Sequence, residues 1–243
     1  MNLIIDIGNS SVKIAVFELH ELLKTWRCSV DKLPNKVSEI CTQYPKISQL
    51  LVSSVTEFSD LLFSELSHYG KVYVLHHKLK MPFKNLYTTP ETLGLDRLAL
   101  VAAATQHYPK TNALVIDAGT CITYDFVDAN AHYFGGAISP GLKMRYKALN
   151  NQTAQLPLLQ PSNLKSYIGT STEASIHSGV VHGIVQEIQG VISTYSSDYS
   201  DLTVILTGGD ANFLCKQFKI SIFANSNFLL EGLNFLLDYN SNS

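Results

Sequence analysis

Apolar residues along this chain switch between strand-like and helix-like spacing. Near the start, Leu3-Ile4-Ile5 runs into Asp6, and after a small polar turn "SVKIAVFE" and then "KTWRCSV" carry strand-like patterns. A helical stretch is predicted over 35–44, followed by the strand "QLLVSSV". "SDLLFSELSHYG" reads as a helix closed by Gly70, and "KVYVLHH" as another strand. After a turn over 88–90, "TLGLDRLALVAAATQHY" forms an alanine- and leucine-rich helix that ends before Pro109.

The second half restarts in the same way. "ALVIDAG" and "TCITYDFVD" predict strands, "GGAISPG" a glycine loop, and "LKMRYKALN" a short helix. A polar loop with Pro157 and Pro161 precedes one long helix, "TEASIHSGVVHGIVQEIQGVISTY". "LTVILTGG" is a buried-type strand and "FLLEGLNFLLDYN" an amphipathic terminal helix. Strands alternating with helices define an α/β class.

Asp6 follows Leu3-Ile4-Ile5 as Asp117 follows Leu114-Val115-Ile116, and each acid leads into x-Gly, a small polar residue and a second strand. Asp-x-Gly is ordinary turn chemistry at one strand end. Two copies about half a chain apart predict a duplicated domain, with units over 1–110 and 111–243 and the two turns facing one cleft.

The chemistry of the first turn suits polyphosphate. Gly8 permits close backbone approach, Asn9, Ser10 and Ser11 offer donors, and Lys13 supplies positive charge. Asp6 would repel phosphate directly and makes sense as a partner for Mg²⁺. Neither a G-K-[ST] loop nor G-x-G-x-x-G occurs. In the second turn the acid and a hydroxyl, Thr120, are kept. Thr123 and Tyr124 take the strand positions where a lysine would be, so Asp117 is expected to hold a cation. "LGLDRLAL" opens an otherwise apolar helix with Gly94, Asp96 and Arg97. An Asp–Arg pair there suits recognition of a small polar substrate, with the carboxylate accepting a hydroxyl proton. Thr172 stands at an N-cap position with Glu173 behind it.

Other patterns lead nowhere. "SSVK" lacks the K-T-G and S-D-N companions of S-x-x-K hydrolases. Ser139 misses G-x-S-x-G spacing, and neither His76-His77 nor His177 with His182 has metal-ligand spacing. A net charge of -2 argues against nucleic acid or acidic membranes as partners. No apolar run approaches the roughly 20 residues of a membrane span. Four scattered cysteines, no C-x-x-C pair and no basic segment before the first apolar run predict a cytoplasmic protein with reduced thiols.

Taken in order, "DIGNSSVK", "GLDR", "DAGTCIT", "GGAISPGLKMRYKAL", "GTSTEASIHSG" and "TGGD" resemble the type III pantothenate kinases, in the superfamily of acetate and sugar kinases, Hsp70 and actin. The resemblance spans nearly the whole chain. It implies two duplicated ribonuclease-H-like domains (the actin-like ATPase fold) around a nucleotide cleft. It implies phosphorylation of pantothenate to 4'-phosphopantothenate by ATP in coenzyme A biosynthesis, a homodimer, and a need for Mg²⁺ and a monovalent cation, K⁺ or NH4⁺. Carried over by position, Asp6, Ile7, Gly8, Asn9, Ser10, Ser11, Val12, Lys13 and Thr120 would bind ATP. Tyr87, Gly94, Leu95, Asp96, Arg97 and Thr172 would line the pantothenate pocket, with Asp96 as general base, and Asp117 would hold the monovalent cation. Ser10 stands where the family usually has Thr, and Cys121 where Ala is common; both changes are small. Alternatives are a non-catalytic transcriptional accessory relative, and a kinase of another small hydroxylated substrate on the same fold. The presence of Asp6, Lys13, Asp96, Arg97 and Asp117 weighs against the first.

Overall fold

All six residues of the first strand, β1 (Asn2–Ile7), are buried, as expected of a strand paired on both edges and covered on both faces. The computed structural model describes residues 1–8, 11–54, 59–163, 166–218 and 223–241. The chain divides into two units: Met1–His107 with Phe228–Ser243, and Tyr108–Asn227.

In the first unit β1 continues into β2 (Val12–Glu18) and β3 (Glu21–Cys28) as an antiparallel meander. Helix α1 (Leu33–Gln43) then returns the chain to β4 (Gln49–Ser54), parallel to β1. Helix α2 (Asp60–Ser67) leads to β5 (Lys71–Val74), parallel to β4. The sheet order is β3-β2-β1-β4-β5. Leu3, Ile5 and Ile7 pack with Val12, Ile14, Val16 and the α1 residues Leu33, Val37 and Ile40. Each fully buried side chain of this kind contributes about 1.5–3 kcal/mol. By alternation, Asp6 faces away from that core. A two-residue strand, β6 (Lys84–Asn85), precedes α3 (Leu95–His107).

The second unit repeats the plan. Strands β7 (Ala113–Ala118), β8 (Cys121–Val127) and β9 (His132–Pro140) form an antiparallel meander. Helices α4 (Leu142–Asn151), α5 (Thr172–His177) and α6 (Gly183–Asp198) follow, then β10 (Thr203–Thr207) parallel to β7. Short α7 (Ala211–Cys215) leads to β11 (Phe223–Ala224), parallel to β10. The five strands of this unit run in the order β9-β8-β7-β10-β11, which matches the order of the first sheet. Leu114, Ile116 and Ala118 join Ile122, Tyr124, Phe126 and Leu206 in one core, which places Asp117 on the opposite face.

Three elements differ from the sequence expectation. "GGAISPG" belongs to β9, its residues paired with β8 from Pro140 back to Gly135. Glycine and proline are turn signals in isolation, but hydrogen bonding to an adjacent strand overrides them, and strand glycines mark close backbone approach. The helix predicted from Thr172 is interrupted at Ser178–His182 by a wider π-type turn between α5 and α6. The terminal helix, α8 (Phe228–Ser241), belongs with the first unit, whereas the sequence placed residues 111–243 together. Asn2 Nδ2 donates to Asn234 Oδ1 and to Asp238 Oδ1, both at 2.8 Å, and Asn234 Nδ2 donates to the Leu19 carbonyl at 2.9 Å. Leu98 to Ala104 of α3 are all buried, and α8 packs along this helix.

Candidate active site

Sheet pairing sets the first cluster. Asp6 lies opposite Lys13 on β2 and opposite Ser53 on β4, so the three side chains form one row across β2, β1 and β4. Asp6 is only 8% exposed and Ser53 is buried. Burial pushes the Asp6 carboxyl above its ordinary range; Lys13 pulls it back, the charge of Asp96 adds to the rise, and a hydrogen bond from Ser53 lowers it. Lys13, Ser53 and Asp96 therefore all lie close enough to bear on the Asp6 carboxylate. Ile7 is buried opposite Val12, and the Gly8 N–H donates to the Ser11 carbonyl at 3.2 Å to close the turn. Asn9 and Ser10 lie outside the described residues.

Leu95 is the first residue of α3, which puts Asp96 in the first turn, where a negative charge suits the helix dipole. Asp96 Oδ1 accepts the Arg97 N–H at 2.9 Å. Arg97 is 4% exposed, and its guanidinium lies 5.7 Å from the ring centre of Tyr87. Gly94 precedes the pair with no side chain to obstruct the Asp96 carboxylate. Tyr87, Gly94, Leu95, Asp96 and Arg97 thus come together, an apolar helix holding a polar first turn.

The second unit carries a matching row. Asp117 lies opposite Thr123 on β8 and opposite Thr207 on β10. The hydroxyl oxygens of Thr123 and Thr207 are buried and have no hydrogen-bond partner among the described residues. A buried polar group left so costs about 1–3 kcal/mol. Two such oxygens beside a carboxylate are a donor set that suits a hard cation. Thr120 is exposed in the tight turn between β7 and β8, where the Gly119 N–H donates to the Cys121 carbonyl at 2.9 Å. Among the described residues no group of three or more His, Cys, Asp or Glu side chains could hold a metal ion by itself.

Thr172 does not cap its helix. Ser171 is the N-cap, its hydroxyl accepting the Ala174 N–H at 3.2 Å, and Thr172 is the first helical residue. The earlier serine takes the cap because it has the extended backbone a cap needs. Thr172 lines an open hollow of about 800 Å³ with Leu149, Leu156, Gly169, Ser175 and Ile176. Ser53, Thr123 and Thr207 were not singled out as site residues from the sequence. Their only signal there is a small hydroxyl at the end of an apolar run, and strand register is what gives it meaning.

Two sheets of identical order, each ending its central strand in an acid beside a glycine turn, are the frame of the duplicated ribonuclease-H-like fold found in actin-like phosphotransferases. A Listeria monocytogenes protein provisionally described as an N-acetylmannosamine kinase shares this fold at 12% identity, TM-score 0.57 and 99% coverage of both chains. So does a Campylobacter jejuni protein provisionally described as a Baf family transcriptional activator, at 23% identity and TM-score 0.65, over 99% of this chain and 100% of that one. At such identities the likeness is one of fold alone. Residues 2–194 match the family model of type III pantothenate kinase. The chain is 49% identical to the type III pantothenate kinase of Flavobacterium johnsoniae over 98% of both sequences, and 43% identical to that of Phocaeicola vulgatus over 99% of both. The chain belongs to the type III pantothenate kinase family.

Proposed function

We propose that this protein transfers the γ-phosphoryl group of ATP to the primary hydroxyl of pantothenate, forming 4'-phosphopantothenate in the first step of coenzyme A biosynthesis. Family membership supports the reaction. The observation that carries the residue roles is the cluster in the first unit, where Asp6 lies opposite Lys13 and Ser53 in the sheet and Asp96 stands in the first turn of α3.

Phosphoryl transfer leaves little covalent chemistry to the protein and depends on positioning and charge neutralisation. Lys13 and the turn from Asp6 to Ser11 hold the phosphates, with Thr120 contributing a hydroxyl. Asp6 would hold Mg²⁺, which would supply positive charge to offset that of the phosphates. Asp96 takes the proton from the attacking hydroxyl, Arg97 and Tyr87 shape the pocket, and Thr172 contacts pantothenate. Asp117 holds a monovalent cation, K⁺ or NH4⁺; the unpartnered hydroxyls beside it favour this role. Two copies form a homodimer, for which exposed Leu158, Tyr167 and Ile168 supply apolar surface, and the four free cysteines suit the cytoplasm.

A coupled ADP-release assay tests the acceptor. Release dependent on pantothenate, and absent with a panel of sugars and acetate, is expected. Release with a sugar and none with pantothenate would overturn the assignment.

A further inference from the structure

The two acid-centred rows differ at one telling position. Asp6 faces Lys13 across the β1–β2 pair, and Asp117 faces Thr123 across the β7–β8 pair, at the same place in the repeated topology. Where the first unit has a tethered ammonium, the second has a short side chain ending in a hydroxyl. A threonine in place of a lysine at such a position takes the built-in positive charge away from the carboxylate. The Thr123 oxygen is buried and unpartnered, with lone pairs to give. On the other flank, Thr207 is 1% exposed and its oxygen is likewise unpartnered. The Asp117 carboxylate is also confined: Gly208, at φ 97°, lies so close that a Cβ there would collide with Asp117 Oδ1.

One carboxylate and neutral hydroxyl oxygens carry a single negative charge. That matches a monovalent ion better than Mg²⁺, which demands octahedral geometry and several retained waters. Resting on Asp117 as the cation ligand, we propose that the Thr123 hydroxyl ligates the monovalent cation, which stands beside Asp117 where the Lys13 ammonium stands beside Asp6. The second unit thereby uses an exchangeable cation for a charge that the first builds into the chain, and Thr123 determines that choice.

The test reads cation binding directly, as the rise in melting temperature of the full-length protein titrated with KCl against choline chloride at constant ionic strength. Thr123→Val removes the oxygen and keeps the shape; the KCl midpoint should rise at least tenfold. Thr207→Val removes the other unpartnered hydroxyl of the donor set and should raise the midpoint as well. Thr123→Lys supplies a tethered ammonium, and its melting temperature should no longer respond to KCl. An unchanged midpoint in Thr123→Val, or a wild-type response in Thr123→Lys, would each overturn the proposal. Asp117→Asn separates the failures. If it keeps the response, Asp117 is not the cation ligand and both ideas fall; if it loses the response while Thr123→Val keeps it, only the role of Thr123 falls.

Discussion

Gly94 owes its place to Asp96: a Cβ built on Gly94 would collide with Asp96 Oδ1. The carboxylate leans back over the residue that enters α3, held there by the Arg97 N–H. Gly94→Ala should therefore displace the Asp96 carboxylate without unfolding the helix. A misplacement of about 1 Å costs on the order of 10²-fold in rate. Turnover should fall by about that factor while the circular dichroism spectrum is unchanged; wild-type turnover would show that the carboxylate can act from another position.

Asp96→Asn keeps the shape and removes the base. Turnover should fall by roughly 10²–10⁴, while calorimetry still detects pantothenate binding. Near wild-type turnover would remove Asp96 from the role of base.

Replacing K⁺ by Na⁺ should lower activity strongly, and Asp117→Asn should abolish the difference between the two ions. Initial rates in KCl, NH4Cl and NaCl at one ionic strength measure this. Indifference of the wild-type enzyme to the ion would end the cation role of Asp117.

Glu187 on α6 ties α6 to α4 and β8. It accepts from Tyr124 Oη at 2.8 Å and pairs with Arg145. Burial pushes its carboxyl upward, but hydrogen bonds from Arg145, Tyr124 and Ser139 and the charge of Arg145 outweigh that and hold it below the ordinary carboxylate range. A pKa lower in the folded than in the unfolded state stabilises the fold above the unfolded value, and that stability is lost as pH falls through the folded one. The melting temperature of wild type should exceed that of Glu187→Gln at pH 7, with the gap closing as the pH drops toward 3. A gap independent of pH would show that ionisation of Glu187 contributes nothing.

Asn234 is 2% exposed and links α8 to β1 and to the Leu19 carbonyl. Asn234→Leu strips both hydrogen bonds and leaves the Leu19 carbonyl without this donor. Denaturant unfolding should show a loss of about 1–3 kcal/mol. No loss would mean that these two hydrogen bonds contribute nothing to holding the C-terminal helix.

The candidate site could be proposed from the sequence because its residues lie in short local motifs. Asp6 to Lys13, "GLDR" and the acid–hydroxyl turn at Asp117 each sit on a turn or a helix start whose chemistry can be read within eight residues. The strands were legible because β1, β7 and β10 are apolar runs with abrupt polar ends. "GGAISPG" was not, since its glycines and proline become strand only through pairing with β8. The cap at Ser171 was misplaced by one residue because two adjacent hydroxyl residues look alike until backbone angles distinguish them.

By itself the sequence determined the duplication, the two acids and the apolar helix behind Asp96, since local periodicity and turn chemistry suffice for those. Only the tertiary structure decided which side chains flank the acids. Ile7 pairs with Val12 across four turn residues, and Ala118 pairs with Ile122 across three. That one-residue difference selects Thr123, and not Tyr124, to face Asp117, because a shift of one residue sends a strand side chain to the opposite face. Ser53, Thr207 and the return of α8 to the first unit depend on contacts between segments far apart in the chain. Such pairings are set by burial and by hydrogen bonding across the sheet, and no local pattern encodes them.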